Sequence, residues 1–477
     1  MTRSAARSAI GSLLWPVLAL LIVASTGSIA QLSDSAEYGL GAVVVYLVPA
    51  LLFLVPVGLV SAELATGWEG GVYVWVSEAF GRRWGFQATW LQWIQSVALY
   101  PSLLSFAAAS LAVALDRPAL ASDGRYVAAV VLIIFWVATF VASRGVRFMA
   151  RLSSIGLVLG TLIPALALVA LMIVWLASGK PSSVPLAASD LVPHVSGLSG
   201  LALIVGTFVA FAGLEVNAVH VRDLVGRPRT YLWALALGVL LILLMYVPGS
   251  VAISVAVPPA QLDLDAGAPQ AFLAYGAGLG LSWMGQVLSA MLVLGAFAAA
   301  TTWVAGPSRG LLAVGRDGFL PPRLHRTNAA GVQVPILIVQ GVLVTALTLV
   351  FVLLPSTSTA FAVLQAVTIG LYMLMYILMF LASLRLRRSK PDVPRSLRAP
   401  ALGLLVGVGC LSAVAAIVLA LTPPSQLQDF PLPVYAAGVL VGIALLASPP
   451  QILARSRREG WSEPVATTDI ATARDDG

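Results

Sequence analysis

The chain has 477 residues, of which 59% are hydrophobic and only 10% charged, an apolar excess that no water-soluble fold of this length can bury. It reads as a polytopic membrane protein, which sets aside soluble enzymes, and the net charge of +7 does not signal nucleic acid because the basic residues sort by membrane side. The single cysteine, Cys410, has no mate, which excludes disulfide and cysteine–metal chemistry.

A membrane-crossing helix needs about 20 apolar residues. Such runs fall near residues 11–33, 40–66, 84–114, 125–143, 152–178, 198–219, 230–257, 279–306, 335–354, 358–383, 401–421 and 433–453. Nothing alternates as barrel strands do, so an all-α bundle of about twelve spans is expected. With the N-terminus in the cytoplasm, every basic residue but Arg117, Arg125 and Lys180 falls on the cytoplasmic side. That asymmetry supports the span count and places both termini in the cytoplasm of a cell-membrane protein. Arg3, Arg7 and the small-residue stretch Ser28-Ile-Ala30 imitate a secretory signal, but the run is read as an uncleaved first span.

Taken in chain order, span 1 carries Ser25-Thr-Gly-Ser28 and then Gln31-Leu-Ser-Asp34, small and polar residues where a continuous lipid-facing helix would prefer Leu or Val. Glu63 and Glu69 sit at the exit of span 2, where they read as an interface pair, either solvated or ion-paired with Arg82 or Arg144. Trp68, Trp75, Trp84, Trp90 and Trp93 cluster near one interface and read as membrane anchors. Gln95, Ser96 and Tyr100 of span 3 are as suited to bonding a neighbouring helix as to contacting a substrate. Span 5 holds Ser153, Ser154 and Thr161, a poor sodium cage, and no lysine to replace the ion.

Span 6 contains Phe211-Ala-Gly213 followed at once by Glu215. A carboxylate at membrane depth costs roughly 3 kcal/mol even on lenient insertion scales, so Glu215 marks a buried pathway. Breaks five spans apart, around Gly27 and Gly213, point to inverted repeats whose discontinuous helices meet at the midplane. Half-helix N-termini there suit a carboxylate and free carbonyls an ammonium, as an amino acid requires. His220 lies one turn beyond Glu215 and reads as structural rather than as a proton relay; His194 and His325 form no metal constellation. Tyr372 and Tyr376, spaced i and i+4 in span 10, share a helix face that can line a cavity. With two lysines and no phosphate-binding glycine loop, neither ATP nor any other cofactor is called for.

The segment Pro56-Val-Gly-Leu-Val-Ser-Ala-Glu63 through Glu69-Gly-Gly71 resembles the second-span exit and Glu-Gly-Gly loop of the amino acid-polyamine-organocation superfamily, and within it the glutamate/gamma-aminobutyrate antiporter branch. Gly213-Leu-Glu215, Trp303 through Gly-Pro-Ser-Arg-Gly310, and Tyr372 and Tyr376 extend the resemblance over about residues 10–455. It implies ten core helices in two inverted five-helix repeats, 11–178 and 179–383. These come after a cytoplasmic tail, 1–10, and before a basic loop, 384–400, two peripheral helices, 401–454, and a disordered tail, 455–477. It also implies alternating access, a substrate carboxylate held around Thr26, Gly27 and Ser28, an amino group around Phe211 and Gly213, Glu215 as coupling acid, and Trp303 on the intracellular path.

Two departures stand out: Thr26-Gly-Ser-Ile replaces a tyrosine-rich hinge, and the tail after Arg458 carries no histidine for a pH-operated plug. The expected function is exchange of amino acids or related amines, with small-molecule substrate and lipid as partners. A proton-coupled symporter or uniporter and a non-transporting nutrient sensor remain the alternatives. Phe80-Gly-Arg-Arg83 matches the major facilitator loop too poorly to favour that class.

Overall fold

A computed structural model describes residues 13–193, 197–222, 224–225, 230–427, 430–457 and 461. The N-terminal tail, His194, Arg227, Arg229 and the tail beyond 457, apart from Trp461, lie outside the described residues. The described residues form helices and turns, with no strand beyond a single bridge between Leu13 and Leu224. Among the described residues, eleven helices are long and apolar enough to cross a membrane, and a bent pair makes a twelfth.

Span 1 is that pair, Trp15–Thr26 and Ile29–Ala36, meeting at 57°. Spans 2 to 7 follow as Gly39–Gly67, Arg82–Ala114, Gly124–Ser143, Leu152–Ala177, Gly197–Ala218 and Thr230–Ala256. Spans 8 to 12 are Ser282–Arg316, Val334–Leu353, Thr357–Ser389, Leu402–Ala420 and Leu432–Arg455. Every expected span is present. Span 8 runs ten residues past its expected end and span 10 six, because both helices continue as polar, arginine-bearing turns where the apolar run stops.

Two helices were expected only as loops: Gly71–Phe80, between spans 2 and 3, and Gly267–Gly278, between spans 7 and 8. They hold corresponding places, five spans apart, at opposite ends of the bundle. Span 3 is its centre, with 83% of its most apolar stretch buried, whereas span 12 is peripheral at 11%. One end carries the basic loops and is called here the basic end.

The membrane-anchor reading of the tryptophans is corrected. Only Trp84 is exposed; Trp75 and Trp93 are fully buried and Trp68 and Trp90 nearly so. Each buried indole finds an acceptor or a packing partner inside the protein. Trp93 Nε1 donates to Gln340 Oε1 at 2.8 Å, Trp90 Nε1 to the Leu446 carbonyl at 2.7 Å, and Trp75 Nε1 to the Trp68 carbonyl at 3.0 Å.

The partner of Glu63 is also corrected. It is 2% exposed and pairs not with Arg82 or Arg144 but with Arg387, whose Nε donates at 2.9 Å and whose second nitrogen is closer still. Arg395 approaches to 3.7 Å, and the Ala399 N–H donates to Glu63 Oε2 at 2.8 Å. The basic loop after span 10 is thereby docked onto the exit of span 2. Arg82 instead pairs with Asp317 at 3.2 Å.

Candidate functional site

The two helix breaks form because side chains elsewhere satisfy the backbone groups they free. In span 1, Thr26 Oγ1 and Ser25 Oγ donate back to the Ile22 carbonyl at 2.8 and 2.9 Å, after which Gly27 and Ser28 turn extended. Tyr246 of span 7 then bridges the gap: its hydroxyl accepts from the Ser28 N–H at 3.1 Å and donates to the Thr26 carbonyl at 2.5 Å. The same oxygen lies 3.3 Å from the Ala210 carbonyl, at the end of the half of span 6 that lies away from the basic end. One phenol thus pins both broken helices. Tyr246→Phe is expected to leave several buried backbone groups unpaired, at about 1–3 kcal/mol each, and thermal denaturation in detergent should show a lower midpoint.

In span 6, Ala212 is extended and Gly213 has φ +101°. A side chain at that φ is strained, and a Cβ on Gly213 would also meet the Trp303 ring at 3.1 Å. Gly213→Ala should therefore reduce transport more than it reduces the amount of folded protein, which paired flux and size-exclusion measurements would show. The Gly213 N–H freed by the break donates to Tyr376 Oη at 2.9 Å.

Glu215 opens the half of span 6 nearer the basic end and is 1% exposed. Its Oε1 accepts from Gln92 Nε2 at 2.9 Å and from the Tyr372 hydroxyl at 2.8 Å, and its Oε2 accepts from the Tyr376 hydroxyl at 2.5 Å. Three neutral donors from spans 3 and 10 so satisfy a carboxylate that has no cationic partner among the described residues. The halves of spans 1 and 6 nearer the basic end are tied by Asn217, whose Nδ2 donates to Ser25 Oγ at 2.6 Å.

Two cavities flank this cluster. One, of about 330 Å³, is lined by Thr26, Gly27, Ser28 and Gln31 of span 1, by Ser153, Ser154 and Thr161 of span 5, and by Trp303. The other, of about 430 Å³, runs from Gly213, Glu215 and Gln92 past Trp303 to Gly70, Gly71, Tyr73 and Arg309 near the basic end. Ser25, Thr302 and Trp303 line both, so they are neighbouring chambers around one tryptophan. Their volumes suit a small molecule.

Most sequence-derived candidates therefore converge here: Thr26, Gly27, Ser28, Gly213, Glu215 and Trp303 line the chambers, and Tyr372 and Tyr376 stand behind Glu215 as its donors. Three others neither line a chamber nor bond Glu215. Phe211 is buried against the rings of Tyr46 and Tyr246; Gln95 donates to the Gln92 carbonyl at 3.2 Å; Tyr100 packs on Phe135 at 4.9 Å. Gln92, Asn217, Tyr246 and Arg309 were missed, although Arg309 belongs to the Gly-Pro-Ser-Arg-Gly motif. Each is a polar residue among apolar neighbours, the one signal that could have found them.

The amino acid permease family model matches residues 8–445. The chain is 36% identical over 448 residues to an uncharacterized transporter of Legionella pneumophila, covering 93% of this chain and 96% of that one. It is 31% identical over 417 residues to a glutamate/gamma-aminobutyrate antiporter of Lactococcus lactis, covering 85% and 83%. A branched-chain amino acid permease of Lactococcus lactis is 27% identical over 313 residues, covering 61% and 64%. With a family match over most of its length, two broken helices around a buried acid and about twelve spans, the chain belongs to the amino acid permease family of the amino acid-polyamine-organocation superfamily, multi-pass membrane transporters and not enzymes.

Proposed function

We propose that the protein exchanges amino acids or closely related amines across the cell membrane by alternating access, with its basic end in the cytoplasm. The observation that carries this reading is Glu215, buried at the break of span 6, held by three neutral donors and facing a chamber shared with the break of span 1. The resemblance to antiporters points the same way.

The substrate carboxylate is assigned to the span 1 break at Thr26–Ser28 and the amino group to the carbonyls around Ala212 and Gly213. The Ser28 N–H already serves Tyr246, so that hydroxyl must turn aside, or the carboxylate must use the neighbouring turn at Ile29. In this reading Trp303, which lines both chambers, closes the inner path. The short helices at 71–80 and 267–278, five spans apart, support two inverted repeats over 11–178 and 179–383.

The test is uptake of radiolabelled glutamate into liposomes carrying the protein and preloaded with single amino acids, repeated with other labelled amino acids and amines. Uptake only against a loaded counter-substrate is the expected result. Uptake into empty liposomes that follows a pH gradient would replace exchange with proton coupling.

A further inference from the structure

Another buried carboxylate lies outside the cluster just described. Asp34 sits on the outer half of span 1, at the end away from the basic loops, and is 1% exposed. Gln365 of span 10 donates to its Oδ2 at 2.5 Å, while Oδ1 has no partner among the described residues. Span 6 comes so close that a Cβ on Gly206 would stand 2.0 Å from Oδ2. Asp34, Gly206, Gln365, Leu203, Phe361 and Tyr435 line a cavity of about 30 Å³, room for a water molecule.

Among the described residues, the titratable groups around Asp34 are Glu37 and Tyr38 on its own segment, Tyr46 of span 2 and Tyr435 of span 12, and none of these is a cation. Glu215 has three donors for its two oxygens, whereas Asp34 has one donor and an acidic neighbour. An anion so placed is costly, and a neutral acid is not.

We propose that Asp34 is a proton-binding site that latches the outer gate: the neutral acid permits spans 1, 6 and 10 to pack together, and parting them releases the proton. On opening, water reaches Oδ1, its O–H bond breaks, the proton passes to external water and the carboxylate is left hydrated; closing reverses each step. The closed state binds one more proton than the open state, so acid favours closure, and raising the external pH favours opening by up to about tenfold per pH unit. The inference rests on the alternating-access reading but on no particular substrate.

The experiment places a reporter cysteine at Ala202, which lines the same cavity, in a Cys410→Ala background, and follows labelling by a membrane-impermeant maleimide added outside intact cells. Labelling rates are divided by those of an exposed external cysteine, because thiolate content itself rises with pH. The corrected rate should rise at least roughly fivefold from pH 5 to pH 8, and Asp34→Asn should abolish that dependence. Gly206→Ala, which drives a methyl against Oδ2, should label readily at both pH values. A flat wild-type profile, an Asp34→Asn protein that keeps the wild-type profile, or a Gly206→Ala protein that stays closed at pH 5 would overturn the latch. Labelling reads the gate without flux, so this outcome is separable from failure of the exchange assay.

Discussion

Glu215→Gln should lower the exchange rate in proteoliposomes by about ten- to a hundredfold while leaving the protein monodisperse. The carboxylate accepts three hydrogen bonds, from Gln92, Tyr372 and Tyr376. An amide of the same shape turns one acceptor into a donor, which one of those donors must then face. Hydrogen bonds to a charged group contribute about 1.5–3 kcal/mol, and each 1.4 kcal/mol is about tenfold in rate where it acts on the switching barrier. Tyr376→Phe removes only one donor, together with the acceptor of the Gly213 N–H, and should fall between wild type and Glu215→Gln. A Glu215→Gln protein that exchanged at the wild-type rate with the wild-type pH profile would remove this residue from the mechanism.

The largest stability effect is expected at the other end of span 2. Glu63→Ala strands Arg395, whose side chain is 2% exposed, beside a backbone N–H that has lost its acceptor. Breaking a buried pair from one side costs about 3–5 kcal/mol, so thermal denaturation in detergent should show a midpoint several degrees lower. Glu78→Ala is the control, because its pair with Lys390 is about 40% exposed on both sides and such surface pairs contribute about 1 kcal/mol or less. Equal shifts for the two substitutions would mean that the Glu63 cluster does not hold the basic loop. Glu63→Gln, which keeps an acceptor for Arg387 and Ala399, should cost less than Glu63→Ala.

Much of the fold was legible because membranes impose strict rules on local sequence. All twelve spans were found from apolar length, since a helix crossing lipid has few ways to be polar. The helices at 71–80 and 267–278, and the long ends of spans 8 and 10, were missed because those residues lie where the apolar run stops and hydropathy carries no signal. Trp68, Trp75, Trp90 and Trp93 were misplaced for a related reason: an indole near the interface suits lipid headgroups and a buried slot with a carbonyl acceptor equally well.

The candidate site divides in the same way. The break at Gly27, the break at Gly213 and the significance of Glu215 followed from the sequence alone, because a polar or flexible residue inside an apolar run is costly wherever it faces. Which groups answer them did not follow. Tyr246 lies 218 residues from Ser28, Tyr376 lies 161 from Glu215, and Arg387 lies 324 from Glu63. Pairing at such separations depends on how each helix is rotated about its own axis. Lipid is as apolar as the protein core, so a helix shows no polar outer face from which that rotation could be read. The sequence by itself determined the spans, the breaks and the acid at membrane depth; only the packing of the helices decided that three neutral donors hold Glu215, that one tyrosine pins both breaks, and that Asp34 has a single partner among the described residues.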